Sequence, residues 1–377
     1  MLIGIDLLWV RPKIVGGTES VIRNLINGFG LYDKNNKYML FVGRDTKDTF
    51  EEYTRFDNVE IKVCQTDSLK RIKRIAWENS NLDKLARSLN VDLMLIPVYS
   101  KPNSKDYHKG GIPYITVIHD LQALHYPEYF SKAKIIFAKR SWKKACKESA
   151  MVVTGSLYCK KDIEENYPFV KDHIEVIYDA TVVGHNTSLD NKKIFEELND
   201  KYGIKEKEYF YTVSSMMPHK NLDTLLKLMK SYKESGEHDN IKLIVSGVGG
   251  HKDDFDIKVK EYNIEDRVID TGFVSNEERD ALYENCELFL FPSEFEGFGL
   301  PPVEAMMKGA RVVTTKSSCI EEVTLGKATY VESTRDINEW KEAINKALER
   351  QEEIVEFPQY ELKELIEQYM ELFRRVN

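Results

Sequence analysis

Short apolar runs alternate with amphipathic helical patterns along most of the chain. In the first half, seven runs rich in β-branched residues predict strands: MLIGID, YMLFVG, VEIKVC, DLMLIP, YITVIHD, AMVVTGS and IEVIYD. In the second half there are six more: YFYTVSS, IKLIVSG, RVIDTGF, LFLFPS, RVVTTK and ATYVE. Helical patterns such as SVIRNLINGFG and NLDTLLKLMKSY lie between them. Strands that alternate with helices indicate βαβ units and parallel sheets.

The strand–helix pattern restarts after the polar stretch VVGHNTSLDNKK, residues 182–193, which we interpret as a linker. At 377 residues, two domains are the default expectation. We therefore predict an α/β fold of two Rossmann-like, doubly wound domains, residues 1–183 and 194–350, that face a central cleft. Residues 351–377 end in YELKELIEQYMELFRR, an amphipathic helix that we expect to pack back on the first domain.

The composition excludes several classes of protein. Apolar residues make up 42% and charged residues 31%, as in soluble globular proteins. The apolar runs are far shorter than the roughly 18 residues of a membrane span, and the N-terminal run reads as a strand, not a signal peptide. The five scattered cysteines, with no CxxC pair, fit a reducing cytoplasm. No nucleic-acid-binding motif accompanies the net charge of −8.

The stretch SEFEGFGLPPVEAM, from Ser293 to Met306, predicts a strand, a loop and a helix. The run LFLFPS before it is a buried strand, the two prolines suit the first turn of a helix, and Gly309 suits its end. The loop amides of Phe298, Gly299 and Leu300 would then lie at the helix N-terminus. Backbone amides at this end favour anions, so we predict a diphosphate site.

Two glutamates flank this loop, eight residues apart. Glu304 is expected in the first helical turn, where its carboxylate can accept hydrogen bonds from two adjacent ribose hydroxyls. Glu296, in the loop, could bind sugar hydroxyls in the same way. The alternative is that Glu304 only favours the helix dipole and that Glu296 is solvated.

The segment PSEFEGFGLPPVEAMMKGARVVTTKSSCIEEV closely resembles the signature of glycosyltransferase family 4, which comprises retaining enzymes of the GT-B fold. Other segments match the family in the expected order: GGTESVIRNL, VIHDLQALHYPEYF, TGSLYCKKDI, IEVIYDA, VSSMMPHKNLDTLL and TGFVSNEERDALYENCELFLFPS. The resemblance extends from Gly16 to about Val331. It implies a donor substrate that is a nucleotide-diphosphate sugar, with no metal and no further cofactor.

The resemblance also implies roles for single residues. The catalytic candidates are His119, which would contact the donor sugar, Lys220, which would stabilise the leaving diphosphate, and Glu296. The substrate-binding candidates are Gly16, Gly17, His219, Phe298, Gly299, Leu300 and Glu304. Plainer alternatives are a simple glycine turn, a solvated lysine and a histidine bonded within its own domain, and Asp120 is expected to brace the turn after His119.

Two positions depart from the family pattern. His219 stands where the family often has an arginine beside the lysine, and Ser214 stands where some members carry another arginine. Histidine is mostly neutral at pH 7, so one or both cationic partners of the diphosphate are weakened. The motif DFD, from Asp254 to Asp256, matches a metal-binding pattern of a different fold; we interpret it as the start of a solvated helix.

The segment KAKIIFAKRSWKKACK, Lys132–Lys147, carries seven positive charges and no acid. Ile135, Ala138, Trp142 and Ala145 fall on one helical face. One interpretation is a packed helix with a solvated basic face. The other is a surface for anionic lipid or a lipid-diphosphate acceptor, and SLKRIKRIAW, residues 68–77, would then add to the same surface.

From the residues and the resemblance together we predict a retaining glycosyltransferase. It would move a hexose of the mannose, rhamnose or glucose type to a glycan or lipid-linked acceptor in surface polysaccharide biosynthesis. We expect a cytoplasmic protein, peripheral on the inner face of the plasma membrane if the basic segment binds lipid. The alternatives are a sugar phosphorylase or nucleotide-sugar hydrolase of the same fold, and a non-catalytic subunit that binds a partner or a glycan.

Overall fold

A computed structural model of the chain describes residues 1–11, 16–181 and 188–377. The chain divides into two compact units. Unit 1 comprises Met1–Ala180 and Pro358–Asn377, and unit 2 comprises Thr181–Phe357. Each unit is built around one parallel sheet.

Within the described residues, the sheet of unit 1 has seven strands, which are β1 (Leu2–Asp6), β2 (Lys37–Val42), β3 (Val59–Val63), β4 (Leu93–Ile96), β5 (Tyr114–Val117), β6 (Met151–Thr154) and β7 (Ile174–Val176). Their order is β3-β2-β1-β4-β5-β6-β7. All neighbours pair in parallel; Ile5, for example, lies opposite Leu40 on one side and Leu95 on the other. The order reverses between β1 and β4, as in doubly wound folds.

The sheet of unit 2 has six strands, which are β8 (Tyr209–Val213), β9 (Lys242–Ser246), β10 (Val268–Gly272), β11 (Leu288–Phe291), β12 (Val312–Thr315) and β13 (Thr329–Val331). They are also parallel, in the order β10-β9-β8-β11-β12-β13, and the order reverses between β8 and β11. Every residue of β11 and β12 is buried. Parallel strands covered by helices on both faces are expected to be apolar throughout.

The helices of unit 1 are α1 (Gly17–Tyr32), α2 (Arg71–Trp77), α3 (Asp83–Ser88), α4 (Gln122–His125), α5 (Lys132–Glu148), α6 (Leu157–Asn166) and, at the end of the chain, α14 (Leu362–Val376). Those of unit 2 are α7 (Ser188–Tyr202), α8 (Leu222–Ser235), α9 (Lys252–Glu261), α10 (Asn276–Asn285), α11 (Leu300–Met307), α12 (Ile320–Val323) and α13 (Ile337–Leu348). The predicted fold class, α/β with two Rossmann-like doubly wound sheets, is confirmed, and each predicted strand is present.

Helix α14 belongs to unit 1 because its apolar face packs on α1. Gly28 lacks the Cβ atom that would lie 2.6 Å from a side-chain carbon of Ile366, so the two helices approach closely. The ring of Phe29 lies 5.8 Å from those of Tyr369 and Phe373. These side chains are buried, and their contacts hold the last twenty residues of the chain on the first sheet's unit.

The stretch interpreted as a linker is only partly described. Residues 182–187 lie outside the described residues, and residues 188–193 belong to helix α7 instead of a linker. The Asn191 side-chain amide donates to both carboxylate oxygens of Glu284 on α10, at 2.7 and 2.8 Å. The polar side chain of Asn191 therefore bonds α7 to α10.

Candidate functional site

In each unit the sheet order reverses beside its first strand, and this is where ligands bind in doubly wound folds. In unit 2 the reversal lies between β8 and β11. The segments that follow these two strands, residues 214–220 and 292–299, carry five of the ten predicted site residues. The structure therefore places them at the carboxyl ends of neighbouring strands.

Lys220 and Glu296 form an ion pair at this edge. The Lys220 Nζ atom lies 2.6 Å from Glu296 Oε1, and the two side chains are 29% and 12% exposed. The Glu296 amide donates to the Ser318 hydroxyl at 3.0 Å, and its carbonyl accepts the Cys319 thiol. The loop backbone is thus fixed while the ammonium group stays accessible to a ligand. The two catalytic candidates of unit 2 are in direct contact.

His219 is buried, with 6% of its surface exposed. Its carbonyl accepts the Glu294 amide at 2.7 Å and the Ser293 hydroxyl at 3.3 Å, which links the segment after β8 to the segment after β11. Burial, together with the neighbouring Lys220 charge, lowers the pKa of the His219 imidazole to about 4. The side chain is therefore neutral at pH 7, as the sequence predicts, and supplies no positive charge.

Ser214, the other departure from the family pattern, is also buried. Its amide donates to the Ser246 carbonyl at 3.0 Å and continues the pairing of β8 with β9. Among the predicted residues after β8, the cationic side chain is that of Lys220.

Helix α11 begins at the predicted place. Gly299 is its N-cap, with φ 86° and ψ 59°, a left-handed conformation that glycine adopts without strain. A Cβ atom there would lie 2.7 Å from Ile320 Cδ1. Pro301 and Pro302 have no N–H, so the amides of Gly299 and Leu300 are the donors at the very start of the helix. Gly309, with φ 83°, follows the helix end as predicted.

Phe298, the third residue of the predicted amide set, is buried with 4% exposed. Its carbonyl accepts the Cys319 thiol at 3.1 Å. The thiol of Cys319 thus bonds two carbonyls of the loop before α11, those of Glu296 and Phe298. This contact shapes the loop from the side of the next strand–helix connection.

Glu304 is the fifth residue of α11, so the prediction that it lies in the first turn is wrong. The helix begins at Leu300, immediately before the two prolines, because Gly299 provides the left-handed cap. Glu304 is therefore not in the turn where an acidic side chain favours the helix dipole most. It lies instead on the face that packs beside α10, and 7% of its surface is exposed.

The carboxylate of Glu304 is held by two side chains of α10 that the sequence analysis did not single out. Arg279 Nη2 lies 3.3 Å from Glu304 Oε1, and the Tyr283 hydroxyl donates to Oε2 at 3.2 Å. Burial raises the pKa of Glu304, and the Arg279 charge opposes this shift. Each carboxylate oxygen keeps a lone pair for a further donor. The capping-box sequence SNEE locates α10, but no spacing rule sets its register against α11.

In unit 1, Gly16 and Gly17 open helix α1 as predicted. Gly16 caps the helix with φ 66°, both glycines are exposed, and a Cβ atom at either would meet no atom within 4 Å. His119 follows β5, and its Nε2 lies 3.2 Å from the Pro97 carbonyl. The Asp120 carboxylate accepts the Gln122 amide and braces the turn, as expected. A contact of His119 with a donor sugar stays a prediction.

Two kinds of feature, a metal-binding cluster and a membrane-spanning helix, are absent from the described residues. These residues contain no group of three histidine, cysteine, aspartate or glutamate side chains arranged to hold a metal ion. None of the helices in the described part of the chain has the length and apolarity to cross a membrane. Asp254 and Asp256 lie in α9, where the Asp256 carboxylate pairs with Lys252.

Two protein-family models match the sequence of the chain. Residues 15–181 match the model of glycosyltransferase family 4, and residues 194–364 match the model of glycosyl transferases group 1. The chain belongs to the group 1 glycosyltransferases. The first match ends at residue 181, where the fold divides, and the second covers most of unit 2 and the first residues of the segment that returns to unit 1.

Two sequence relatives and one solved structure resemble this glycosyltransferase. The O-antigen chain mannosyltransferase RfbU of Salmonella typhimurium is 28% identical over 64% of this chain, and the match spans 63% of its own length. The O-antigen chain mannosyltransferase B of Escherichia coli is 26% identical over 86% of this chain and 88% of its length. The structure of Anabaena HepE in complex with UDP-glucose superimposes with a TM-score of 0.67 at 16% identity, covering 100% of this chain and 98% of that one.

Proposed function

We propose that this glycosyltransferase moves a hexose, with retention of configuration, from a nucleotide-diphosphate sugar to a glycan or lipid-linked acceptor in surface polysaccharide assembly. The observation that carries the proposal is the grouping of Lys220, Glu296 and the N-terminus of α11 at the ends of β8 and β11. A diphosphate needs positive charge and backbone donors together, and this edge of the sheet provides both. The Glu296 carboxylate, at the same edge, can accept hydrogen bonds from the hydroxyls of the sugar.

The reaction would depend on the stabilisation of the leaving diphosphate. As the bond to the sugar breaks, negative charge grows on the phosphate oxygens, and Lys220 together with the Gly299 and Leu300 amides would stabilise it. Lys220 is paired with Glu296, so the diphosphate would share its ammonium group while Glu296 accepts sugar hydroxyls. Front-face transfer uses no protein nucleophile, and the leaving phosphate takes the proton of the acceptor. We propose that no metal ion takes part.

The named relatives support a choice of sugar and nucleotide for the test. RfbU and mannosyltransferase B are named as O-antigen mannosyltransferases, which favours mannose and an O-antigen-type acceptor. HepE was solved with UDP-glucose, so uridine nucleotides belong in the test as well as guanosine nucleotides. Rhamnose and glucose are the other hexoses considered. From unit 1, we propose that His119 contacts the donor sugar and that Gly16 and Gly17 contribute amides.

Donor turnover tests the proposal. The protein is incubated with GDP-α-D-mannose or UDP-α-D-glucose, with water as the acceptor, and NMR follows the first sugar released. We expect the α-anomer, at a rate that EDTA does not change. Lys220→Ala should lower the rate about 100-fold to 1,000-fold, the typical cost of removing one group that stabilises transition-state charge. Lys227→Ala, which removes an exposed lysine of α8, should leave it unchanged.

Release of the β-anomer would contradict retention. Turnover of both donors that Lys220→Ala leaves intact would contradict the assignment of the site. Release that requires inorganic phosphate and yields a sugar phosphate would identify the phosphorylase alternative. If Glu304→Ala leaves glycan output in cells unchanged, the non-catalytic alternative is favoured.

We also propose that unit 1 binds an anionic membrane surface through α2 and α5. Of the four residues predicted to share one face of α5, Ala138, Trp142 and Ala145 are buried and Ile135 is half-buried. The exposed basic residues of the two helices are Arg71, Lys73, Lys132, Lys134, Lys139, Arg140, Lys143 and Lys147. The Arg71 guanidinium lies 5.8 Å from the Phe137 ring, so the two helices form one surface.

Apolar side chains are exposed within this basic surface. Ile72 is 85% exposed, Leu69 is 64% exposed and Ile136 is 51% exposed. Basic residues around exposed apolar ones are typical of helices that lie at a bilayer interface. Each basic residue near an anionic surface contributes about 1 kcal/mol to binding.

Vesicle sedimentation tests this surface. The protein should sediment with phosphatidylglycerol-containing vesicles, remain free of phosphatidylcholine vesicles, and be released by salt. Arg140→Glu and Ile72→Ser should both weaken binding to the phosphatidylglycerol-containing vesicles. The loss caused by Ile72→Ser should depend less on salt concentration than the loss caused by Arg140→Glu. Equal binding to both kinds of vesicle, or to neither, would contradict the proposal and favour a basic face that is only solvated.

A further inference from the structure

Arg279 is a charged residue near Glu304, and helix α10 fixes its position. Ser275 and Glu278 cap this helix reciprocally, with bonds of 3.1 and 2.7 Å, and so fix its first turn. Arg279 follows directly and reaches Glu304 on the neighbouring helix α11. Its side chain is 24% exposed, whereas the Glu304 side chain is 9% exposed. The guanidinium thus lies between the buried carboxylate and the surface.

Part of the guanidinium has no protein partner. The Nε atom of Arg279 is buried without a hydrogen-bond partner among the described residues. A buried donor that lacks a partner costs free energy, so such groups are rare and require an explanation such as a bound water or ligand. Because the Arg279 contact to Glu304 is made through one terminal nitrogen, the arginine still has donors that a bound ligand or water can use.

Glu304 accepts two ribose hydroxyls only if it is ionised and correctly oriented. Its surroundings divide into groups that favour and groups that oppose the charged form. Arg279 and the Tyr283 hydroxyl lower the pKa of Glu304, whereas burial and the Asp280 carboxylate raise it. Asp280 is itself paired at 3.1 Å with Lys308, the residue that follows α11. The cation in contact with the Glu304 carboxylate is therefore Arg279.

The contacts also fix the direction of the carboxylate. Arg279 bonds one oxygen and Tyr283 the other, so rotation of the group would break both bonds. Tyr283 is fully buried and packs edge-on against the Tyr211 ring, with centroids 5.3 Å apart. A carboxylate held at both oxygens presents its two remaining lone pairs in one plane, the arrangement that a pair of adjacent hydroxyls requires.

We propose that Arg279 is the positioning residue of this site: it holds Glu304 ionised and oriented, and so makes the site prefer ribonucleotides to 2′-deoxyribonucleotides. The proposal rests on the proposed function, because it assumes that Glu304 binds the ribose of the donor. It differs from a role for Arg279 as a direct cationic partner of the diphosphate. The two roles predict different dependences on pH and on the 2′-hydroxyl.

The dependence on pH follows from the sign of the shift. Without Arg279, the pKa of the buried Glu304 rises further, and more of the carboxyl is protonated at pH 7. A protonated carboxyl has lost acceptor capacity for the hydroxyl pair. Each unit by which the pKa exceeds the assay pH lowers the ionised fraction about tenfold. Ribonucleotide affinity should therefore fall as pH falls, and in the variant the fall should occur at higher pH.

Calorimetric titration of the full chain with GDP, UDP and their 2′-deoxy forms tests the proposal at pH 6, 7 and 9. The wild-type protein should bind GDP or UDP more tightly than the 2′-deoxy form. At pH 7, the Arg279→Leu variant should bind ribonucleotides about tenfold more weakly than the wild type and should not prefer them to the 2′-deoxy forms. At pH 9, it should regain most of the lost ribonucleotide affinity. Arg279→Lys keeps a positive charge and should retain most of the affinity.

Two controls separate positioning from a general effect. Arg350→Leu removes an arginine of unit 2 whose guanidinium bonds Thr329 and the Lys327 carbonyl, and it should bind like the wild type. Glu304→Gln mimics a protonated carboxyl, and Arg279→Leu added to it should cause no further loss, because both changes act through the same contact. This second comparison remains valid if the single Arg279→Leu variant is less stable.

Each other result overturns the proposal. If Arg279→Leu loses affinity equally at every pH and for both sugar forms, Arg279 contacts the diphosphate. If its affinity is unchanged, the arginine is structural. A wild-type protein that binds ribo- and 2′-deoxyribonucleotides equally removes the basis for selectivity. Binding of none of these nucleotides by the wild type would instead contradict the proposed function itself.

Discussion

At the scale of the residue, the structure separates contacts that sequence spacing indicates from contacts that it does not. Lys220 and Glu296 are both in segments that leave neighbouring strands, so their meeting follows from the order of a doubly wound sheet. Arg279 and Tyr283 meet Glu304 across two packed helices. The rotation of one helix against another depends on core packing, which the pattern of a single sequence does not determine.

The buried His219 makes folding stability depend on pH. Its pKa is lowered from 6.5 to about 4 because burial disfavours the charged form. The unfolded chain therefore binds a proton between these pH values that the folded chain does not, and stability is lost as pH falls from about 6.5 towards 4. The imidazole itself should contribute no pH dependence to donor binding above pH 6.

Denaturant unfolding at several pH values checks this prediction. Between pH 7 and pH 4, the free energy of unfolding should fall by up to about 3 kcal/mol less in His219→Gln than in the wild type. The reason is that each unit of pKa shift is worth about 1.4 kcal/mol. His251→Gln, at a half-exposed histidine of unit 2, is the control substitution for this comparison. Equal slopes for His219→Gln and the wild type would show that His219 titrates normally.

At the scale of the element, the strands could be predicted because buried parallel strands are continuous apolar runs bounded by polar turns. The start of α11 could be predicted from its prolines, but the turn that contains Glu304 could not. The first helical residue depends on the left-handed conformation of Gly299, and a glycine alone does not reveal its φ. The polar start of α7 was interpreted as a linker because its partner, Glu284, lies far along the chain.

The two ends of α11 provide a matched test of its role. Gly299 and Gly309 have φ values of 86° and 83°, so an alanine at either position is strained to a similar degree. The clash with Ile320 at 2.7 Å adds to the strain at Gly299, whereas the nearest atom at Gly309 is 3.4 Å away. Gly299→Ala should cost about 1–3 kcal/mol of stability and move the helix N-terminus.

Both alanine variants should lower the melting temperature, but only Gly299→Ala should weaken GDP or UDP binding, because only that end of α11 would face the diphosphate. Melting curves and nucleotide titration of the two proteins give the comparison. Equal nucleotide affinity for the two variants would show that the N-terminus of α11 does not bind the phosphates.

At the scale of the whole molecule, the division into two units of parallel sheet could be predicted from the restart of the strand pattern. The assignment of the last helix to unit 1 depends on close packing at Gly28, a contact between residues more than 300 positions apart. In unit 2 most of the predicted residues lie in one long, continuous family signature, and the structure brings Glu296 of this signature into contact with Lys220. The predicted residues of unit 1 lie in short, separate segments, and their roles stay predictions.

The measurement that tests the central claim most directly is the thermal stability of the purified protein with GDP, UDP, dTDP and ADP in turn, repeated with Glu304→Ala. A nucleotide at about 100 times its dissociation constant should add roughly 2.7 kcal/mol of stability. We expect GDP or UDP to raise the melting temperature of the wild type and to have no effect on Glu304→Ala. Stability that none of the four nucleotides changes would contradict a nucleotide-sugar site at Lys220, Glu296 and Glu304.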